Sequence, residues 1–285
     1  MARIGDLLAT RPTLSFEFFP PKNEEMERAL EKAVAELAEL RPSFVSVTYG
    51  ALGSTRERTR DVVVRINRDQ RFPAMAHLTC VGHTRADVAA LLDEYAANGV
   101  ENILALGGDP PADGSTPEGD FEFASDLVEV VRAHPAGFSI GVAAHPELHP
   151  RSPSREEDRR RLADKLELAD FAITQFFFDL DPYLRMVDEL ADLGCDKPVL
   201  PGVMPFINAA GVQRMAAMNG TAIPTPLLER IDALADDPDG IVELGIEVAT
   251  ELCAALLAED VPGLHLYALN RSHSCRTVHA NLGLG

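Results

Sequence analysis

Residues 13–49 read TLSFEFFPPKNEEMERALEKAVAELAELRPSFVSVTY, and this stretch holds one complete strand–helix–strand unit. The run Thr13 to Phe19 is β-branched and aromatic around one acid, Glu17, and stops at Pro20-Pro21, which cannot continue a ladder. From Glu24 to Leu40, Met26, Leu30, Val34 and Leu37 recur at spacings of three and four and share one helical face. Phe44 to Tyr49 is the second strand. Six further runs of this kind follow, Ala74 to Thr79, Asn102 to Leu106, Phe138 to Ala143, Phe171 to Phe178, Val199 to Val203 and Leu264 to Leu269, with helical patterns between them.

Strands that are apolar almost throughout and separated by helices pair in parallel and are buried on both faces. Eight such units predict an α/β fold, a single-domain (β/α)8 barrel over residues 1–285. A doubly wound sheet would call for a G-x-G-x-x-G after an early strand, and none is present. Thr84 with Asp87 and Ser154 with Glu157 predict capping boxes, and Gly99 and Gly194 predict helix ends. Pro110 to Gly119 has the length and composition of a barrel loop.

Asp and Glu number 45 against 26 Lys and Arg, a net charge of −19 in 285 residues. That balance excludes nucleic acid as an expected partner, because phosphate backbones are bound by clustered cations. No apolar run approaches the ~20 residues of a membrane span, and Met1 to Thr10 does not read as a secretory signal. A cytoplasmic protein is expected, with a homo-oligomer compatible with the sequence. Cys80, Cys195, Cys253 and Cys275 are scattered and read as reduced structural thiols.

In a (β/α)8 barrel the active site forms at the C-terminal strand ends. Those ends carry Glu17, Thr48 with Tyr49, His77 with Thr79, Asp109, His145, Gln175, and Tyr267 with Asn270 and Arg271. Glu17, flanked by Phe16, Phe18 and Phe19, is either a carboxyl kept protonated by an apolar pocket, fit for a general acid, or a strand-end acid paired with Lys22. Asp109 lies between Gly107-Gly108 and Pro110-Pro111, where backbone can approach a ligand closely or simply turn. His145-Pro146-Glu147-Leu148-His149 lacks the order of H-E-x-x-H, and no metal site is expected there or at His273, Cys275 and His279. Asp158 and Lys165, with Arg159 to Arg161 between them, stand on one face of the helix opened by Ser154 and offer cations to an anionic ligand.

Five motifs in order, Phe16-Glu17-Phe18-Phe19-Pro20-Pro21-Lys22, Val45-Ser46-Val47-Thr48-Tyr49-Gly50, His77-Leu78-Thr79-Cys80, Ala172-Ile173-Thr174-Gln175-Phe176-Phe177-Phe178-Asp179 and Leu269-Asn270-Arg271, resemble the methylenetetrahydrofolate reductases, in their bacterial catalytic form. The resemblance spans nearly the whole chain. It implies a flavin-binding barrel that reduces 5,10-methylenetetrahydrofolate to 5-methyltetrahydrofolate with NADH or NADPH through bound FAD, in ping-pong order, within one-carbon metabolism and methionine biosynthesis. By position it implies Glu17 as general acid at nitrogen 10 and Asp109 as the carboxylate near both folate and flavin. It implies Gln175, Asp109, Arg271 and Tyr267 at the folate. Thr48, Tyr49, Ala51, His77, Gly108, Asp109, Ala124, His145, His149, Asp158 and Lys165 fall at flavin positions.

Three positions depart from that pattern. Gly107 stands where the better-studied members carry arginine, His145 replaces a usual tyrosine, and Ala209 replaces an aromatic. Arg161, one turn before Lys165, is expected to supply the missing cation at the flavin. The departures leave two rivals, a flavin-free reductase with direct hydride transfer and a non-catalytic folate-binding barrel, with a metal-dependent hydrolase more distant. A positive pocket of Lys165, Arg161 and Arg271 within a negative surface is expected.

Overall fold

The computed structural model describes residues 2–49, 56–69, 72–108 and 118–284. The first half of the chain runs α1 (Ile4–Leu8), β1 (Thr13–Phe18), α2 (Glu24–Ala38), β2 (Phe44–Val47), α3 (Arg56–Asp69), β3 (Ala74–Thr79), α4 (Arg85–Ala97), β4 (Asn102–Leu106), α5 (Ala124–Ala133) and β5 (Ser139–Ala144). The second half continues α6 (Arg155–Leu168), β6 (Phe171–Thr174), α7 (Leu180–Asp192), β7 (Val199–Leu200), β8 (Gly202–Val203), α8 (Ala209–Asn219), α9 (Thr225–Ala233), α10 (Pro238–Ala258), β9 (Gly263–Tyr267) and α11 (His273–Asn281).

All pairings are parallel, in the order β7-β6-β5-β4-β3-β2-β1-β9-β8. The segments β7 and β8 are halves of one stave, interrupted by Pro201, which has no N–H to donate. The first half pairs with β6 and the second with β9, so this broken stave closes the sheet into the (β/α)8 barrel.

The apolar periodicity sorts the core into two layers. Phe16, Phe18, Val45 and Val47 face outward and pack with Leu30, Val34 and Leu37 of α2 and with the other inward helical faces. The lower lumen is filled by Phe44, Met75, Leu104, Phe171, Ile173 and Leu200, and Ile4 of α1 plugs it from below. Ile4 N–H donates to Asn102 Oδ1 at 2.8 Å and Gly5 N–H to Ser139 Oγ at 3.0 Å, which fixes that plug. The upper lumen is polar, and the site lies there.

Helix ends follow the capping rules. Thr84 and Asp87 form the expected box, and Gly99 and Gly194 adopt positive φ after α4 and α7. At α6 only half of the expected box exists. Ser154 accepts from Glu157 N–H at 3.2 Å, but the Glu157 carboxylate turns to Arg160 and Arg161, because two guanidiniums outcompete one backbone N–H for it. The strand expected to reach Phe178 ends at Thr174. Phe176 and Phe178 leave it to pack with Phe206 under α8 and α9. Among the described residues no helix is long and apolar enough to cross a membrane.

Candidate active site at the barrel mouth

Alternation along β1 points Ser15 and Glu17 into the lumen, where register places Glu17 beside Ser46 of β2 and Tyr267 of β9, and Ser15 beside His265. Three groups converge on one oxygen, Glu17 Oε2. Ser46 Oγ–H donates to it at 3.0 Å, His77 Nε2 lies 3.2 Å away, and His265 Nε2 lies 3.3 Å away. Oε1 takes no hydrogen bond from any described residue, and the side chain as a whole retains 14% exposure. The His77 nitrogen is buried and meets Oε2 at ion-pair distance without hydrogen-bond alignment.

The environment overturns the expected apolar pocket around Glu17. Burial by itself would raise the carboxyl, but the charge of His77 and the hydrogen bond and charge of His265 outweigh it and hold Glu17 well below the usual carboxylate range. Lys22 is exposed and is not its partner. Ser15 Oγ–H donates to Leu264 O at 3.2 Å, which leaves its oxygen to accept His265 Nδ1–H at 2.8 Å. With Nδ1–H so engaged, His265 Nε2 is the ring nitrogen turned to Oε2, at 3.3 Å.

Tyr267 crosses the lumen above this cluster and donates its hydroxyl to Thr174 O at 2.6 Å. Gly202 makes that crossing possible, since a Cβ there would sit 2.4 Å from Thr174 O and 2.8 Å from the tyrosine hydroxyl. Burial, and secondarily the charge of Glu17, push the phenol well above its ordinary value. Its hydroxyl is thus a fixed strut of the barrel. Arg271 is exposed, after Leu269 and Asn270 at φ of 49° and 56°. That left-handed turn is held by Asn270, whose amide accepts from Phe19 N–H and donates to Phe19 O, both at 2.9 Å. The clasp ties the end of β9 to the end of β1, just beyond Glu17. Gln175 Oε1 accepts from Asn219 Nδ2 at 3.2 Å.

The loop from β5 to α6 forms the opposite side of the mouth. Arg159, 2% exposed, donates to the carbonyls of His145, Pro146 and Glu147 at 3.1, 2.7 and 3.4 Å, to Asp158 at 2.5 Å and to Glu189 at 2.8 Å. Asp158 in turn accepts from Ser152 Oγ–H at 2.6 Å and from His149 N–H at 3.3 Å. Asp158 therefore shapes the loop that presents His145 and His149, whose rings stand edge to face at 4.5 Å. Lys165 Nζ donates to Ala143 O at 3.4 Å and has no carboxylate within ion-pair distance among the described residues. Burial lowers its pKa, against the opposing charge of Asp158. Arg161, expected as a companion cation, is exposed and paired with Glu157 at 2.8 Å, so the structure does not bring it to Lys165 as a free charge.

On the third side, Thr48 follows β2, its N–H donating to Phe18 O at 2.8 Å and its O accepting from Thr59 at 3.0 Å. The Tyr49 hydroxyl lies 3.1 Å from His83 Nε2. Gly108 has φ of 85°, with Thr79 and Val81 Cβ atoms 3.1 Å from where its own would be. Ala124 opens α5. Ala209 opens α8 and is buried. Ala51 and Asp109 lie outside the described residues. Sequence reading missed Ser15, Ser46 and His265 around Glu17, Arg151 in the loop, and His83 and Asn219 as partners of Tyr49 and Gln175, while Arg159, expected among the cations offered to a ligand, is spent on the loop itself. A signal existed for two of them. Ser15 and His265 each precede a named site residue by two positions in their strands, which marks one inward stripe.

Burial, then His149 and the nearby cations, against the opposing pull of Asp158, push His145 down to about 3. An unfolded histidine titrates near ~6.5, so between these values the unfolded chain binds the extra proton and stability falls as pH falls. From pH ~7.5 to ~5 this histidine is expected to remove at most about 2 kcal/mol. Urea unfolding of wild type and His145→Phe at the two pH values checks it. The variant should lose that part of the pH dependence, and an unchanged dependence would refute the assignment.

These features define a (β/α)8 barrel with an acid–base cluster and a cation-bearing loop at its C-terminal mouth, the face on which such barrels carry their active sites. The family model for methylenetetrahydrofolate reductase matches residues 3–283. The chain is 37% identical over 272 residues to the 5,10-methylenetetrahydrofolate reductase of Escherichia coli, covering 95% of this chain and 90% of that protein. It is 36% identical over 284 residues to methylenetetrahydrofolate reductase (NADH) 1 of Arabidopsis thaliana, covering 95% of this chain and 48% of that protein. A Clostridium thermocellum protein that binds two copies of 5-methyl-5,6,7,8-tetrahydrofolic acid shares the fold, with a TM-score of 0.67 at 15% identity over 99% of this chain and 98% of that one. The chain belongs to the methylenetetrahydrofolate reductase family, a family of oxidoreductases.

Proposed function

We propose that residues 1–285 form one cytoplasmic catalytic barrel that reduces 5,10-methylenetetrahydrofolate to 5-methyltetrahydrofolate, with hydride from NADH or NADPH by way of bound FAD. The observation that carries the reading is Glu17, with Oε2 gripped by Ser46, His77 and His265 and Oε1 left to the mouth. Family membership supports the substrate, since the reaction needs an acid beside a ring nitrogen and this cluster supplies one.

In the proposed reaction Glu17 Oε1 faces nitrogen 10 of the folate; the carboxyl takes up one proton with the bound substrate and delivers it to that nitrogen, which assists opening of the five-membered ring to the iminium cation and leaves Glu17 as the carboxylate. Asp109 is assigned to stabilising the iminium charge, Gln175 and Arg271 to orienting the folate, and Tyr267 to the floor beneath it through its ring.

The residues present fit a flavin dinucleotide. Lys165 is a cation without a carboxylate partner among the described residues, beside the end of β5, and burial holds His145 and His149 toward their neutral forms. Thr48, Tyr49, His77, Gly108 and Ala124 surround the ends of β2 to β4. When bound, the flavin supplies a hydride carrier between nicotinamide and folate, which makes the order of substrates ping-pong.

The test is folate-dependent NADH and NADPH oxidation by the purified protein, with 5-methyltetrahydrofolate measured as product and the visible spectrum recorded. Product formation with flavin absorption is the expected result. Product formation by a colourless protein without added flavin would replace the FAD route by direct hydride transfer. No product under any flavin supplement, with folate still bound, would leave a binding barrel.

A further inference from the structure

Gly107, at the end of β4, leaves open space that is occupied from across the mouth. A Cβ on Gly107 would lie 3.7 Å from Nη2 of Arg151, a residue of the β5–α6 loop. The loop is rigid at this point. Arg151 N–H donates to His149 Nδ1 at 3.1 Å, Ser152 N–H donates to His149 O at 2.8 Å, and Asp158 and Arg159 pin the segment from behind. Among the described residues the Arg151 guanidinium has no carboxylate partner, as Lys165 has none. His149 stands between these two cations, and both act to lower its pKa, behind the larger effect of burial. In a chain of net charge −19, two cations with no carboxylate partner among the described residues, flanking imidazoles on one rim, form a site for an anion.

We propose that Arg151 is the second cation of the dinucleotide subsite, its guanidinium pairing with the ligand diphosphate over Gly107 while Lys165 holds the same group from the β5 side. This inference rests on the proposed reductase reading and deepens it. The charge that the resemblance places at position 107 is delivered by a different element, and Arg161 is not its source. A guanidinium matches two phosphate oxygens at once, which a lysine at this position would not do. Diphosphate is common to FAD and the reduced nicotinamides, so the ligand source is read by experiment.

The test titrates purified, flavin-stripped wild type, Arg151→Gln, Arg151→Lys and the pair Arg151→Gln with Gly107→Arg against FAD and, separately, NADH, by ligand fluorescence. Arg151→Gln is expected to weaken binding roughly ten- to hundredfold, the loss of a charge-assisted hydrogen bond, with Arg151→Lys recovering little. Binding of 5-methyltetrahydrofolate should hold within about twofold, since a neutral loop residue leaves the Glu17 side untouched. The Gly107→Arg pair should recover much of the loss, because backbone at 107 is not left-handed and the space is vacated. Weakening in the FAD arm, or in the NADH arm alone, assigns the diphosphate accordingly and supports the proposal. Both arms unchanged in Arg151→Gln, or loss of folate binding in parallel, overturns it. A wild type that turns over folate while Arg151→Gln binds normally refutes Arg151 alone, whereas a wild type without turnover refutes the reductase reading.

Discussion

Glu17→Gln is expected to lower methylenetetrahydrofolate reduction by about 10²–10⁴-fold, the usual contribution of a positioned general acid. The amide is isosteric and its oxygen can still accept from Ser46, so the barrel should fold and bind 5-methyltetrahydrofolate. What it cannot do is carry an acidic proton on the oxygen that faces the folate and release it. The loss should fall on the folate half-reaction, with nicotinamide oxidation by the flavin largely intact, and stopped-flow absorbance of each half-reaction reads the difference. Equal loss in both would remove Glu17 from the acid role. The prediction does not need the carboxyl to be neutral at rest. His77 and His265 hold it ionised at rest, and the role asks only that it carry a proton when the folate is bound.

Arg159→Ala is expected to destabilise the protein by about 3–5 kcal/mol, the usual result of removing one partner of a buried ion pair. Asp158 would lose its cation, Glu189 would keep only the longer contact to Arg155 at 3.4 Å, and the carbonyls of His145, Pro146 and Glu147 would lose donors. Urea unfolding measures it, and a loss under about 1 kcal/mol would show that the network is dispensable. Because the same clasp fixes His149 and Arg151, dinucleotide affinity should fall as well, although Arg159 reaches no ligand. Arg159→Lys should recover only part of either effect, since an ammonium cannot span the carbonyls and both acids in one plane.

The fold was legible because it repeats. Buried parallel strands and amphipathic helices alternate with unlike periods, so each of the eight staves announces itself locally. Even the seventh, cut by Pro201, lies within the run Val199 to Val203. The individual site residues were legible as strand-end polar groups, but their partners were not. Glu17 amid three phenylalanines looks like an acid in an apolar pocket. Alternation sends Phe16 and Phe18 outward, while inward register brings Ser46, His77 and His265 from three other strands. Arg161 illustrates the same limit on α6. Spacing placed it one turn from Lys165, but a neighbour on its own helix, Glu157, takes its charge.

By itself, then, the sequence determined the barrel, the end of the barrel that carries the chemistry, and the family to which the chain belongs, because periodicity and ordered motifs are local properties of the chain. Only the tertiary structure decided the state of the Glu17 carboxyl, the commitment of the Tyr267 hydroxyl to Thr174, and the delivery of Arg151 to the space above Gly107. Each depends on which groups meet across the lumen or the mouth, and over those few ångströms Coulomb and hydrogen-bond energies change faster than any sequence spacing records.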